Sequence, residues 1–362
     1  MRVLYITPQI NNEGGVARVL SLKSNYFVQK RNYQVHILTQ NNGNSPLFYD
    51  FDYRIQLYDM PLFGNPLKFL MSYKKTLNEM VAKINPEVII VSDNGLKAYL
   101  LPYLLKTTIP IVFEVHGSKY IQEKEVTNGF FDFLSIKIKE AGIKKYTKVV
   151  FLSKESAKEW NFRNPIIIPN PISFSMDNFS NLTSKKVIAV ARHSYEKGLD
   201  RMLQIWQKII IKHPNWSLEI YGKSNENQEL QKLANALNIG NNVTFFEPIK
   251  SILEKYLDSS ICIMTSRSEG FPMVLIEAMA SGLPSVAYDC PVGPRSIITN
   301  NENGFLVEDG NIDSFIQKLE LLMEDEKLRI QMGINAQKSV KKYNLDAIML
   351  QWNTLFEEVK KQ

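Results

Sequence analysis

"MRVLYITPQINNEGGVARVLSLKSNYFVQKRNYQVHILT", residues 1–39, decides the architecture. An apolar run, "VLYIT" at 3–7, is followed by a polar, glycine-bearing loop. A helix-compatible stretch, "VARVLSLKSNYFVQKR", leads to a second short run, "YQVHILT" at 33–39. Strand, helix and strand in this order form a βαβ unit, whose crossover makes the strands parallel and covers one face of the sheet. The apolar run stops at Pro8, too early for a secretory signal, so it reads as a buried first strand.

The alternation continues outward. "EVIIVSD" (87–93), "IPIVFEVHG" (109–117) and "YTKVVFLS" (146–153) are strand-like runs rich in Val and Ile, separated by helical segments. At 166–172 the chain reads "IIIPNPI", where two prolines stop regular structure, and a polar stretch, "SFSMDNFSNLTSKK", follows as a linker. The pattern then restarts with "KVIAVARH" (186–193), "WSLEIYGK" (216–223), "NVTFFEP" (242–248), "ICIMTS" (261–266), "PSVAYD" (284–289) and "GFLVED" (304–309). Residues 313–361 are helical. Two successive doubly wound α/β domains, 1–170 and 171–344, account for the 362 residues.

No apolar run reaches the roughly 18 to 20 residues of a membrane span. The two cysteines, Cys262 and Cys290, have no metal-site spacing and read as buried thiols in a reducing compartment. The net charge of +6 is uneven: residues 1–172 hold 22 Lys+Arg against 14 Asp+Glu, and the remainder is slightly acidic. This fits either an anionic partner of the first half or a solvated basic face. A nucleic-acid binder is disfavoured, because no basic stripe with interleaved aromatics exists.

In open α/β sheets ligands sit beyond the carboxyl ends of the strands, so the residues there carry the chemistry. "ARHSYEKGLD" places Arg192 and Lys197 around a loop ending at Gly198, a pairing suited to a diphosphate, or to a surface with no ligand. "SRSEGFPMVLIEAMASGLP" (266–284) sets Glu269 in a loop and Glu277 inside a helix. Gly270 permits the turn, Pro272 suits the first helical position, and Gly270, Phe271 and Pro272 are candidates for the donor-binding loop. The N–H groups of Met273, Val274 and Leu275 then lack intrahelical partners and can donate to phosphate. Glu277 can accept from ribose hydroxyls; a capping acid and an ordinary amphipathic helix fit the same pattern. Gly14 and Gly15 let backbone approach an anion after the first strand, though this is not the GxGxxG pattern. His116 ends a strand of the first domain, and Asp50 and Asp52 read as loop residues rather than metal ligands.

Together these residues resemble the retaining group 1 glycosyltransferases, family 4 of the sequence-based classification. Glu269-Gly-Phe-Pro-Met-Val-Leu-Ile-Glu277 matches their E-x7-E signature, "ARHSYEKG" their Arg…Lys-Gly element, and "IPNPI" their interdomain linker. The resemblance implies a GT-B fold, two Rossmann-like domains facing across a cleft, with residues 345–362 packing back on the first. It implies that Arg192, Lys197 and the helix start hold the donor diphosphate, Glu277 the ribose, and Phe246, Glu247 and Pro248 the base. Glu269 and His116 would face the sugar, and Gly14 and Gly15 the diphosphate or acceptor. No metal or other cofactor is required. The Asp-Cys-Pro-x-Gly-Pro stretch resembles a subset building bacterial surface polysaccharides and lipid-linked oligosaccharides. It implies a UDP-sugar donor, an undecaprenyl-diphosphate-linked glycan acceptor and a cytoplasmic place at the inner face of the membrane. Pro171 and Ser296 depart from the pattern, standing where glycine and an acid are usual. The mixed apolar and lysine stretches at 65–77 and 130–148 fit contact with an anionic membrane, or a buried face with solvated lysines. A non-catalytic partner subunit and a sugar-nucleotide epimerase are the competing readings.

Overall fold

The computed structural model describes residues 1–43, 45–120 and 129–361, and the side chains of Phe130 and Phe131 lie outside that description. The chain forms two compact units, one holding Met1–Lys119, the segment up to Pro171 and Leu345–Gln362, the other Ile172–Asn344.

In the first unit the order is β1 (Arg2–Ile6), α1 (Gly15–Arg31), β2 (Gln34–Gln40), β3 (Gln56–Met60), α2 (Pro66–Ile84) and β4 (Val88–Val91). It continues with α3 (Leu96–Leu104), β5 (Ile111–Val115), α4 (Gly129–Ile143), β6 (Lys148–Phe151), α5 (Lys154–Glu159) and β7 (Ile166–Ile167). The sheet order is β3-β2-β1-β4-β5-β6-β7, and its pairings are parallel, with Val3 opposite both Val35 and Val88. Every residue of β4 and β5 is buried, because helices cover both faces. That is why these strands read as unbroken apolar runs rather than alternations. Two expectations are corrected here. β3 was not anticipated, and part of the presumed linker, Ile166–Ile167, pairs with β6 as β7.

The second unit runs β8 (Lys186–Val190), a 3₁₀ turn (Tyr195–Lys197), α6 (Leu199–Lys212), β9 (Ser217–Tyr221), α7 (Glu229–Ala236) and β10 (Val243–Phe246). Then come α8 (Leu253–Leu257), β11 (Ile261–Met264), α9 (Met273–Ala280), β12 (Ser285–Tyr288), β13 (Gly304–Val307), α10 (Ile312–Glu324) and α11 (Glu326–Val340). The sheet order is β10-β9-β8-β11-β12-β13, again parallel. Trp206, Leu203 and Ile209 of α6 pack with Phe315 and Leu319 of α10 over one face. Leu182, Tyr256 and Ala278 close the other.

The last helix, α12 (Leu345–Lys360), belongs to the first unit. Its Ile348, Trp352 and Phe356 are buried among Val3, Phe27, Val88 and Val112. Tyr33 donates to Asn353 at 2.8 Å. Each unit is thus a Rossmann-like parallel sheet between helices, as the resemblance implies.

Candidate functional site

In the second unit the strand order reverses between β8 and β11, the topological switch point where such sheets bind ligands. Two loops rise from there. The loop after β8 carries Arg192 and Lys197; the loop after β11 carries Ser266 to Pro272. They are tied together. The Lys197 ammonium donates to Glu269 Oε1 at 2.8 Å, and Ser266 Oγ donates to the same oxygen at 2.6 Å. Arg267 N–H donates to the Glu196 carbonyl at 2.8 Å. The Arg267 guanidinium grips Asp200 with both arms, at 2.8 and 2.6 Å, and lies 4.2 Å from the centre of the Tyr195 ring. Burial pushes the Asp200 carboxyl up, but the bonds and charge of Arg267 outweigh it and leave its pKa below the usual range.

The turn between the loops and α6 requires glycine. Gly198 has φ 60°, and a Cβ there would sit 2.2 Å from the Thr265 carbonyl oxygen. The same carbonyl accepts from Arg201 Nη2 at 2.6 Å, so the backbone of the β11 loop is fixed from two sides.

Arg192 projects outward, with its side chain 58 % exposed and Nη2 3.2 Å from Glu196 Oε1. Glu269 is the opposite case, with its side chain only 8 % exposed. Helix α9 begins at Met273, with Pro272 as its N-cap and no side-chain cap. Pro272 therefore precedes the first helical position instead of occupying it. A second correction concerns Leu275, whose N–H donates to the Pro272 carbonyl at 3.1 Å and so is not open to a phosphate. The first turn closes tightly, in 3₁₀ fashion, which takes up that donor. Met273 and Val274 remain the donors that the helix start can offer. Glu277, in the middle of α9, is fully buried and accepts from Ser173 Oγ at 3.0 Å. Gly270 and Phe271 shape the loop, and the Phe271 ring lies edge-on to Tyr343 at 5.5 Å.

Phe246 ends β10, and Glu247 and Pro248 follow it at the carboxyl edge of the sheet. Register places Phe246 beside Tyr221, and the rings stack at 4.7 Å. Sequence reasoning found Phe246 but not Tyr221, nor Ser173, Ser266, Arg267 or His193. His193 is buried, edge-on to Phe245 at 5.6 Å, and burial lowers its pKa against the pull of Glu247. The position of His193 directly after Arg192 was the available signal.

In the first unit the corresponding reversal lies between β1 and β4. Gly14 caps α1 and Gly15 opens it; a Cβ on Gly15 would meet nothing within 4 Å. The fold therefore does not demand glycine at 15. His116 follows β5, its side chain 5 % exposed and Nε2 3.5 Å from Glu114 Oε2. Asp52 pairs with Arg54 and is bonded by Gln29. Among the described residues no group of acids, histidines or cysteines forms a metal site, and no helix is long and apolar enough to cross a membrane. Helix α2 buries Tyr73, Leu77, Val81 and Ile84 and exposes Leu67 and Met71 beside the exposed Phe63. Helix α4 exposes Phe133 and Leu134.

Comparison with known proteins points to the same fold. The family model described as glycosyl transferases group 1 matches residues 174–339, and that of glycosyltransferase family 4 matches 13–175. An uncharacterised glycosyltransferase of Haemophilus influenzae is 29% identical over 97% of this chain and 98% of its own. The amylovoran biosynthesis glycosyltransferase AmsD of Erwinia amylovora is 28% identical over 98% of this chain and 99% of its own. Among solved structures, the S. aureus TarM G117R mutant, in complex with fondaparinux, alpha-GlcNAc-glycerol and UDP, superposes with a TM-score of 0.78. It covers 98% of this chain and 99% of its own at 16% identity, a likeness that shows a shared fold.

Proposed function

We infer that this chain, which belongs to the group 1 glycosyltransferases, moves a hexose or N-acetylhexosamine from a UDP-sugar to a lipid-linked glycan. The product would be a bacterial surface polysaccharide, a reading supported by the full-length similarity to an amylovoran biosynthesis enzyme. The carrying observation is the Lys197–Glu269 pair at 2.8 Å, set at the switch point beside Arg192 and the uncapped start of α9. A leaving diphosphate needs positive potential where its charge develops. Lys197, Arg192 and the N–H groups of Met273 and Val274 supply it without a metal ion. Glu277 is the ribose acceptor, the stacked Tyr221 and Phe246 with Glu247 and Pro248 form the base platform, and Glu269 faces the sugar. In the first unit, we assign His116 to a sugar and Gly14 and Gly15 to the diphosphate or acceptor.

Retention of configuration is expected from a front-face route, in which the acceptor oxygen bonds to the anomeric carbon on the face the diphosphate leaves and the departing phosphate takes the acceptor's proton, so that no protein base is required. Phe63, Leu67, Met71 and the lysines of α2 are the surface we assign to anionic lipid, where the acceptor is held.

The test is thermal shift with UDP, GDP, ADP and CDP in EDTA. A ligand at 100 times its Kd stabilises by about 2.7 kcal/mol. Stabilisation by UDP that survives EDTA and disappears in Glu277→Ala is expected. No shift with any diphosphate would overturn the reading. Product NMR showing an inverted anomer would overturn retention, and unchanged liposome binding in Leu67→Glu/Met71→Glu would remove the membrane surface.

A further inference from the structure

Beside His116 the first unit buries an ion pair. Lys23 of α1 and Glu114 of β5 are both almost wholly inaccessible and bonded to each other. Replacing a buried pair with apolar residues of similar size is often neutral or stabilising, so burial alone does not explain why charge stands here. Three further contacts fix it. Ser92, just after β4, donates from Oγ to Glu114 Oε2 at 2.5 Å. Lys23 Nζ lies 3.6 Å from the centre of the Trp352 ring of α12 and 5.6 Å from that of Tyr5 of β1. The groups facing Glu114 are thus Lys23, Ser92, Tyr5 and His116, and only His116 leads out of the core. Its Nε2 is buried, has no hydrogen bond among the described residues, and points at Oε2 from 3.5 Å.

We propose that Glu114 is a positioning residue for His116. Its carboxylate selects the tautomer with hydrogen on Nε2, and Nδ1 becomes an acceptor for a sugar hydroxyl. A carboxylate that orients a histidine in this way fixes both the ring's direction and the proton's place. Lys23 keeps the carboxylate ionised: burial pushes Glu114 up, and the charge of Lys23 leads the effects, its hydrogen bond among them, that outweigh burial and hold it well below the usual range. The 3.5 Å separation closes to hydrogen-bond length when substrate orders the imidazole. The inference rests on the assignment of His116 to the sugar.

The experiment is a ¹⁵N imidazole spectrum of the full chain near pH 8, with the His116 signals identified by their loss in His116→Gln. The Nε2–H tautomer is expected. In Lys23→Met/Glu114→Leu, which removes both charges together, the tautomer population should shift. Release of nucleoside diphosphate should slow on the order of tenfold or more, with donor affinity unchanged. A wild-type spectrum showing the Nδ1–H tautomer overturns the proposal, whether or not the double variant folds. So does a double variant with an unaltered spectrum and unaltered turnover. If His116→Gln turns over like wild type, it is the assignment of His116 to the sugar that fails, and the spectrum still reports on Glu114.

Discussion

Lys197 and Glu269 hold each other in a setting where neither is easily replaced. Glu269 is nearly inaccessible, and without the ammonium it keeps, among the described residues, only the Ser266 hydroxyl as a side-chain partner. Lys197→Ala should therefore destabilise the second unit by about 1–3 kcal/mol, since a buried acceptor loses its charged partner. It should also lower turnover on the order of a hundredfold, because the diphosphate loses a fixed cation. Urea unfolding and steady-state kinetics measure the two effects separately. Arg192, mostly exposed, should behave differently: Arg192→Ala is expected to leave stability within about 0.5 kcal/mol of wild type while raising donor KM or lowering kcat. For Glu277, the conservative Glu277→Gln keeps one acceptor oxygen for Ser173 and should fold normally. It should still weaken UDP binding roughly tenfold to a hundredfold, as a hydrogen bond to a charged group is worth about 1.5–3 kcal/mol. Calorimetry with equal UDP affinity in both proteins would contradict the ribose assignment.

At the scale of elements, the site depends on two strands keeping their loops in register. Gly198→Ala should cost at least about 3 kcal/mol, from a positive φ and a Cβ 2.2 Å from the Thr265 carbonyl. A melting temperature within a degree of wild type would show that the β8 loop can move away from β11. How much was legible in the sequence follows from the same contacts. Strands buried on both faces, such as "VIIV" and "IVFEV", announce themselves as apolar runs. β3 does not: as an edge strand with an exposed Gln56 and Leu57, "QLYDM" offers one covered side and too little apolar character. β7 is two residues long and hidden beside prolines. In the site, Arg192, Lys197, Glu269 and Glu277 were visible as residue types. That Lys197 meets Glu269 across 72 positions is visible only once β8 lies beside β11. Tyr221 escaped for a related reason, since only the pairing Phe246 to Tyr221 makes a stack of two aromatic residues distant in sequence. Leu275 was misread because spacing alone does not reveal a first turn closed by an i→i−3 bond.

For the molecule as a whole, acid should destabilise the fold through its depressed carboxylates. Glu114 and Asp200 both titrate below their usual range when folded. The unfolded chain binds protons more readily at those positions, so the stability they contribute is full above the unfolded pKa of about 4. It is lost as the pH falls further, towards their folded values. Thermal melts should be flat with respect to these groups between pH 7 and 5 and fall steeply below about 4. A melting temperature still level at pH 3 would contradict this. One topological feature reaches into the making of the protein. The ribosome releases Leu345–Lys360 only after all of Ile172–Asn344, yet Trp352 and Phe356 complete the core that β1 began. The first unit is therefore completed only after the second has been made, and meanwhile the part of its sheet that Trp352 and Phe356 cover, beside Phe27 of α1, waits exposed, an exposure that nascent-chain chaperones are built to shield.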